Sequence, residues 1–130
     1  MKTHIIITLF ISFLFFTSCE EEAHMEVTNK VHNVTLENVA FGDFPLGYKI
    51  LPGESTGRIL LSDNYSGISF PMTAQIKFYM VRGGNKVYLR TKESFTLKDG
   101  SNLKVEITDD TEVENMLTGT SMSLAAEFNE

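Results

Sequence analysis

The sequence lacks tryptophan and has one cysteine, three histidines and three prolines among 130 residues. With Cys19 alone, an intramolecular disulfide is impossible, so the folded part must be stabilised by its core. His4 lies in an apolar N-terminal stretch and His24 in a charged one, which leaves only His32 near a predicted domain. This shortage argues against a zinc site and a Ser-His-Asp triad. We expect a non-enzymatic protein with no catalytic residue, no metal ligand and no cofactor.

Positive charge is also scarce, because 11 Lys and Arg oppose 17 Asp and Glu and give a formal charge of −6. Loss of residues 1–18 would remove Lys2 and no acidic residue, which would change this charge from −6 to −7. Binding of nucleic acid depends on Lys and Arg that neutralise phosphates. We therefore expect no nucleic-acid partner.

No hydrophobic run is long enough to span a bilayer. The longest is Ile5 to Phe16, interrupted by Thr8 and Ser12. As a helix it would extend only about 18 Å, whereas a membrane-spanning helix needs about 20 residues. A short apolar run behind Lys2 is typical of a secretory signal peptide.

The residues after this run carry two resemblances. Ser18-Cys19 resembles a bacterial lipobox, in which Phe16 stands where Leu is usual, and Glu20-Glu21-Glu22 resembles the acidic export tract of Bacteroidota surface lipoproteins. The resemblance implies cleavage before Cys19, with diacylglycerol on its sulfur and an acyl chain such as palmitate on its nitrogen. It implies a lipid anchor in the outer membrane and display at the cell surface, since two or three lipid chains anchor stably.

The chain divides into three predicted parts. Residues 1–18 form the signal peptide, residues 19–30 the lipidated cysteine and an acidic tether, and residues 31–130 a single β-domain. The tether is predicted because Glu20 to Lys30 is charged and has no sustained hydrophobic period. Beyond it, the region resembles the many small β-domain lipoproteins of the Bacteroidota.

Alternating apolar residues predict the first strands of this domain. Val34 and Leu36 indicate a strand with one buried face. A turn or bulge is expected around Pro45, followed by a short strand through Tyr48 and Ile50. Leu51-Pro52-Gly53-Glu54 is typical of a type II turn, and the next strand is expected over 58–62.

The stretch from Thr73 to Thr91 predicts a hairpin around the two-residue loop Gly83-Gly84. Its core face pairs Met80 with Val87, Phe78 with Leu89 and Ile76 with Thr91. Its other face pairs Val81 with Lys86, Tyr79 with Tyr88 and Lys77 with Arg90. A slip of one residue would mix apolar and polar side chains on both faces, so the register is well specified.

Three further elements follow. A hairpin over 94–108 is predicted around the loop Asp99-Gly100-Ser101, which places Phe95 and Leu97 on one face with Leu103, Val105 and Ile107. Residues 109–117 fit either a helical turn capped by Thr111 or a strand. A last half-buried strand is expected over 121–128, with Met122, Leu124, Ala126 and Phe128 facing inward.

Seven or eight short strands without a long helix predict an all-β fold. An antiparallel β-sandwich, immunoglobulin-like or related, is the first choice, and a small closed β-barrel is the alternative. The acidic run Asp109 to Glu114 lacks the spacing of a calcium loop and is interpreted as a solvated turn.

One surface feature of the predicted sandwich bears on function. The face with Tyr79, Tyr88, Lys77 and Arg90 offers flat amphipathic contact area and is the candidate partner-binding surface. We expect a binding or accessory module for a protein or glycan partner. A structural subunit that pairs through an edge strand, at Val31 to Ala40 or Ser121 to Phe128, and a small-ligand carrier are the alternatives.

A last resemblance concerns periplasmic lysozyme inhibitors. Ser66-Gly67-Ile68-Ser69-Phe70 and Tyr88-Leu89-Arg90-Thr91-Lys92 resemble their Ser-Gly-x-x-Tyr and Tyr/Thr-Lys-Gly elements. Phe70 stands where that family has Tyr and Glu93 where it has Gly, and the cysteines and tryptophan of the family are missing. An inhibitor-like function is therefore kept only as an alternative.

Overall fold

The structure, a computed structural model, describes residues 20–124, which consist mainly of short β-strands. Strands of the first half are β1 Glu22–Lys30, β2 Thr35–Phe41, β3 Phe44–Ile50, β4 Ile59–Ser62 and β5 Met72–Ala74. Those of the second half are β6 Ile76–Arg82, β7 Asn85–Thr91, β8 Phe95–Leu97, β9 Asn102–Thr108, β10 Glu112–Asn115 and β11 Ser121–Ser123.

The strands form a β-sandwich. A three-stranded sheet has the order β4-β1-β9, a six-stranded sheet has the order β11-β10-β7-β6-β2-β3, and β5 pairs with β8. All pairings within the described part are antiparallel except that of β1 with β9. The predicted all-β sandwich is confirmed, and residues 20–124 do not close into a barrel. Over this range no helix is long and apolar enough to cross a bilayer.

The sandwich is filled by side chains that alternate along the strands of both sheets. Met25, Val27 and Ile107 of the small sheet and Phe41 and Phe78 of the large sheet are all fully buried. They belong to one continuous apolar cluster. Strand pairs with one buried face of this kind fix their own register, because a shift by one residue would expose the core.

The acidic tether predicted over residues 19–30 is wrong from Glu22 onward. Residues Glu22–Lys30 form β1, the central strand of the three-stranded sheet, between β4 and β9. Ala23, Met25 and Val27 are buried, while the charged residues between them lie on the opposite face. The domain therefore begins nine residues earlier than the predicted start at residue 31, and the charges mark a solvated face of a strand.

Asn29 joins the end of β1 to the rest of the sandwich. Its side chain is fully buried and its Nδ2 donates to the carbonyl oxygens of Val34 at 2.7 Å and Ile50 at 3.0 Å. Its Oδ1 accepts from the N–H of Val31 at 3.0 Å. A buried amide is stable only with its hydrogen bonds made, and here it links β1, the loop that leads to β2, and the end of β3.

The predicted bulge near Pro45 and the type II turn after β3 are confirmed, but β3 begins at Phe44 and includes Pro45, whereas only a short strand through Tyr48 and Ile50 was predicted. Gly42 and Asp43 connect β2 to β3, and the register between these strands shifts at Val39 and Ala40, which is a bulge. After β3, the N–H of Glu54 donates to the carbonyl of Leu51 at 3.0 Å and Gly53 has φ of 85°, as a type II turn requires.

The hairpin of β6 and β7 has the predicted register in every pair from Arg82 with Asn85 to Lys77 with Arg90. It is shorter than predicted, because the strand is interrupted at Gln75 and the preceding segment forms β5. At the break, the N–H of Ile76 donates to the Oγ1 of Thr91 at 3.0 Å, and Gln75 Nε2 donates to the Thr91 carbonyl at 2.9 Å. Thr91 faces the core as predicted and is fully buried.

The second hairpin predicted over 94–108 is wrong. β8 pairs with β5, and β9 lies parallel to β1. The Gly100 N–H donates to the Glu22 carbonyl at 2.8 Å, and the His24 N–H donates to the Ser101 carbonyl at 3.0 Å, which directs β9 to β1. Because residues 22–30 were predicted to be a tether, β1 was not considered as a partner of β9, and a local hairpin was predicted instead.

The two predictions for residues 109–117 are resolved in favour of a strand. β10 runs over Glu112–Asn115, and Thr111 closes a tight turn by donating its N–H to the Thr108 carbonyl at 3.1 Å. β11 confirms the start of the last predicted strand, and Leu124 is fully buried. Ala126 and Phe128 lie outside the described residues.

Candidate functional site

The candidate surface is the face of the six-stranded sheet that points away from the core, called the outer face here. On β6 and β7 it carries Tyr79 and Tyr88, which are cross-strand partners. Their rings stack with centroids 4.6 Å apart and planes inclined by 16°. Both side chains are half-buried, so the stacked pair remains partly accessible to solvent.

A cation covers part of this tyrosine pair. Lys86 Nζ lies 4.7 Å from the centroid of the Tyr79 ring and 3.2 Å from Glu37 Oε1. Attraction between an ammonium group and a ring face is worth about 0.5 to 1 kcal/mol at an exposed position. The ion pair and the ring therefore hold the Lys86 side chain along the sheet.

Lys77 and Arg90 also lie on the outer face as predicted, directly across the ladder from one another. Each has a carboxylate partner that the sequence does not indicate. Lys77 Nζ lies 3.3 Å from Asp43 Oδ1. Arg90 contacts both carboxylate oxygens of Glu114, with its Nη2 3.0 Å from Oε2 and 3.1 Å from Oε1. These partners offset the repulsion between two cations in adjacent strands.

The partner acids could not be identified from the sequence because they lie on elements whose position beside β6 and β7 was not predicted. Glu114 faces Arg90 through the pairing of β10 with β7, and Asp43 belongs to the turn between β2 and β3. The structure therefore brings all four predicted residues together. On this surface Lys77, Lys86 and Arg90 each have an acidic neighbour.

A concavity adjoins the outer face where β3 forms the edge of the sheet. Its volume is about 520 Å³ and its lining comprises Asn38, Ala40, Pro45, Leu46, Gly47 and Tyr48. The Tyr48 side chain is 74% exposed, so its ring is available to a partner. Because Ala40 pairs with Pro45 on one side and with Lys77 on the other, this edge groove is continuous with the outer face.

Backbone irregularity produces the edge groove. Between Glu37 and Ala40 the register of β2 shifts against β6, and Asn38 has φ of 50°, a left-handed conformation that Asn tolerates better than most residues. The Asn38 side chain is exposed and lines the groove together with Tyr48. Pro45 and Gly47 predicted a bulge, but nothing in the sequence showed that it would open a groove beside Tyr48.

Two other concavities lie elsewhere. One of about 550 Å³ lies beside β9 and is lined by charged residues of both signs, among them Lys92, Glu93, Lys104 and Glu112. Another of about 300 Å³ is lined by Ser66, Gly67 and Phe44, near the stacked rings of Phe44 and Tyr65. The two elements that resemble lysozyme inhibitors thus contribute to separate concavities, Ser66 and Gly67 to one and Thr91 and Lys92 to the other.

The remaining candidates are dispersed. His24 lies on β1, with its Nδ1 3.4 Å from Arg58 Nη2, and His32 is exposed, with its N–H donating to Asp109 Oδ1 at 3.0 Å. Within residues 20–124 no group of three or more His, Cys, Asp or Glu side chains is placed to hold a metal ion. Cys19, the predicted lipidation residue, lies outside the described range.

No protein-family model, curated protein or solved structure matches this chain significantly. The fold class and the outer face are therefore the features of the molecule that bear on its function.

Proposed function

We propose that this protein is a non-enzymatic, lipid-anchored protein of the cell envelope that binds a glycan or an uncharged protein segment. Binding takes place on the outer face and in the edge groove beside it. The observation that carries the proposal is that the outer face with the stacked Tyr79 and Tyr88 rings adjoins, through the pairing of Lys77 with Ala40, the edge groove that Tyr48 lines.

The charge arrangement selects the kind of partner. Lys77, Lys86 and Arg90 each contact a carboxylate, so an anionic ligand would have to displace an ion pair before it gained one. An uncharged partner meets aromatic edges and fixed polar groups without that cost. Tyrosine is well suited to such contacts because it combines a flat apolar ring with a hydroxyl group.

The test is a pull-down from the native envelope with the anchored protein. We expect a partner that binds the wild type to be lost from the Tyr79→Ala/Tyr88→Ala double variant and weakened by Tyr48→Ala. Tyr65→Ala is the control, because Tyr65 is an aromatic residue, 43% accessible in the domain, on the turn after β4 and outside the lining of the edge groove. Retention by the double variant and loss from the control would locate binding elsewhere and contradict the proposal.

A glycan partner is distinguished by a direct measurement. Titration of the purified protein with soluble envelope glycans should quench or shift tyrosine fluorescence, since the chain has four tyrosines and no tryptophan. The same titration of the double variant should give no saturable signal. Saturation with equal affinity in both proteins would exclude the outer face as the glycan site.

The lipid anchor is proposed from the apolar run, Ser18-Cys19 and the acidic tract. Mass spectrometry of the N-terminal peptide from membranes should show a modified Cys19, and digestion of intact cells by an added protease should remove the domain. An unmodified Cys19 would refute the anchor. Protection of the domain in intact cells would refute surface display while leaving the anchor in place.

An edge-pairing structural subunit is the second candidate. One of its two predicted edges is wrong, since β2 is paired with β6 and β3 on its two sides. β11, with Ser121–Ser123, stands at the end of the six-stranded sheet within the described residues. Concentration-dependent dimerisation that is abolished by Met122→Pro would favour this function over the binding module.

A further inference from the structure

The residues directly after Cys19 are bonded to the domain. Glu20 Oε1 accepts hydrogen bonds from Ser62 Oγ at 3.0 Å and from Asn64 Nδ2 at 2.9 Å. The Glu21 carbonyl accepts from the Asp63 N–H at 3.0 Å. The segment is therefore fastened to the turn that follows β4, starting from the first residue that the structure describes.

Glu22 extends this attachment to a second turn. Its N–H donates to Asp99 Oδ1 at 3.0 Å, and its carbonyl accepts from the Gly100 N–H at 2.8 Å. The turns at 62–67 and 98–101 thus flank the N-terminal end of β1 on both sides. We call this end of the sandwich the anchor end.

The opposite end of the sandwich is well separated from it. From Glu22 to Asn29, β1 advances about 23 Å at the usual rise of a strand. At that far end, the Asn29 N–H donates to the Glu54 carbonyl at 2.8 Å and the Asn29 carbonyl accepts from the Gly53 N–H at 2.7 Å. The turn Leu51 to Glu54 therefore marks the far end of the molecule.

We infer that the domain stands directly on the bilayer, with the turns 62–67 and 98–101 against the lipid head groups and the Leu51 to Glu54 turn away from the membrane. The inference rests on the lipid anchor proposed above. Consecutive Cα atoms are about 3.8 Å apart, so a lipid-bearing Cys19 brings the anchored Glu20 to the head groups with no slack between them. A tether would have let the domain tumble, whereas this attachment gives it one orientation.

Orientation decides which surfaces can meet a partner. The turns at the anchor end are covered by the leaflet, while the outer face lies along the side of the upright sandwich. The anchor end also carries the carboxylates of Glu20, Glu21, Glu22, Asp63 and Asp99. On an anionic leaflet these repel the surface, so the lipid chains and not charge attraction hold the domain in place.

The experiment measures the accessibility of single thiols at the two ends in native membranes. Ser66→Cys and Glu54→Cys are both exposed positions, one at the anchor end and one at the far end. The Cys19 sulfur is consumed by the lipid, so a bulky maleimide-polyethylene glycol reports only the introduced thiol. We expect Glu54→Cys to react an order of magnitude faster than Ser66→Cys on membranes.

Two controls test whether the bilayer causes the difference in reaction rate between the two thiols. In the Cys19→Ala background, away from membranes, both thiols should react at similar rates. A flexible Gly-Ser insertion of about ten residues between Cys19 and Glu20 should raise the rate at Ser66→Cys on membranes, because such a linker reaches well beyond the head groups. No change after the insertion would show that Ser66→Cys is slow for a reason other than the bilayer.

The possible failures are separable. Equal rates at the two ends, in a protein whose Cys19 is shown by mass spectrometry to carry lipid, would overturn the upright orientation alone. An unmodified Cys19 would overturn the anchor and the orientation with it. Neither result bears on partner binding by the outer face, which is measured separately with the tyrosine variants.

Discussion

At the residue scale, Asn29 is the buried polar group on which the junction of β1, β2 and β3 depends. Its amide satisfies three backbone groups, the carbonyls of Val34 and Ile50 and the N–H of Val31. Asn29 looked like part of a polar tether in the sequence, because an amide gives no apolar signal. Only the fold shows that the Asn29 side chain supplies the hydrogen bonds of backbone groups from three segments that meet there.

Asn29→Ala should therefore lower the free energy of unfolding by at least about 3 kcal/mol, because three buried backbone groups lose their partner and each such group costs about 1 to 3 kcal/mol. Chemical denaturation of the two proteins measures the difference. Asn102→Ala, at an exposed position of β9, is the matched control and should change stability little. Equal stability of Asn29→Ala and the wild type would mean that this junction is not held by the amide.

Residues of the candidate site were predictable only in part. Tyr79, Tyr88, Lys77 and Arg90 were found because they lie in one hairpin, whose register follows from alternation and the Gly83-Gly84 turn. Their partners Glu37, Asp43 and Glu114 come from other strands and turns. Sequence alternation tells which face a residue occupies, but not which strand lies beside it.

At the element scale, the β6–β7 hairpin separates core from surface residue by residue. Phe78 is fully buried between the sheets, whereas Tyr79 lies on the outer face against Tyr88. Phe78→Ala should cost about 3 to 5 kcal/mol of stability and Tyr79→Ala much less, since only the first leaves a cavity in the core. Denaturant melts that gave similar losses would show that the two faces of the hairpin are wrongly assigned.

β1 is the strand that was predicted to be a tether, although its sequence carries the pattern of a strand. Ala23, Met25 and Val27 alternate with Glu22, His24 and Glu26, which is the pattern of a strand with one solvated face. The adjoining acidic tract and the polar Asn29 obscured this short stretch of alternating apolar and polar residues. Its parallel pairing with β9 has no local signal at all, because the two strands are far apart in the chain.

Met25→Ala distinguishes the strand from a tether. Met25 is fully buried, so its truncation should cost about 2 to 5 kcal/mol, whereas a residue in a tether would contribute nothing. Its neighbour His24 serves as the control, because His24→Ala changes a side chain on the solvated face of the same strand. Thermal melts of both variants provide the measurement, and an unchanged Met25→Ala protein would contradict the place of β1 in the core.

At the scale of the whole molecule, the all-β class and most strand positions followed from alternation and turn residues, while the assembly of the sheets did not. Short strands that pair over long sequence distances leave several arrangements with the same buried faces. The start of the domain at Glu22 replaces a loose tether by a direct connection to the proposed lipid anchor.

Cys19→Ala tests whether folding and anchoring are independent. The described domain begins after this residue and has its own core, so the variant should unfold at the same denaturant concentration as the delipidated wild type. It should also leave the membrane fraction, because about 0.8 kcal/mol per buried methylene is lost with each lipid chain and the acidic anchor end offers no attraction in its place. Fractionation of cells that produce each protein measures the second effect. A Cys19→Ala protein that still pelleted with membranes would mean that the domain surface itself holds the bilayer, and the upright orientation would then need a different physical cause.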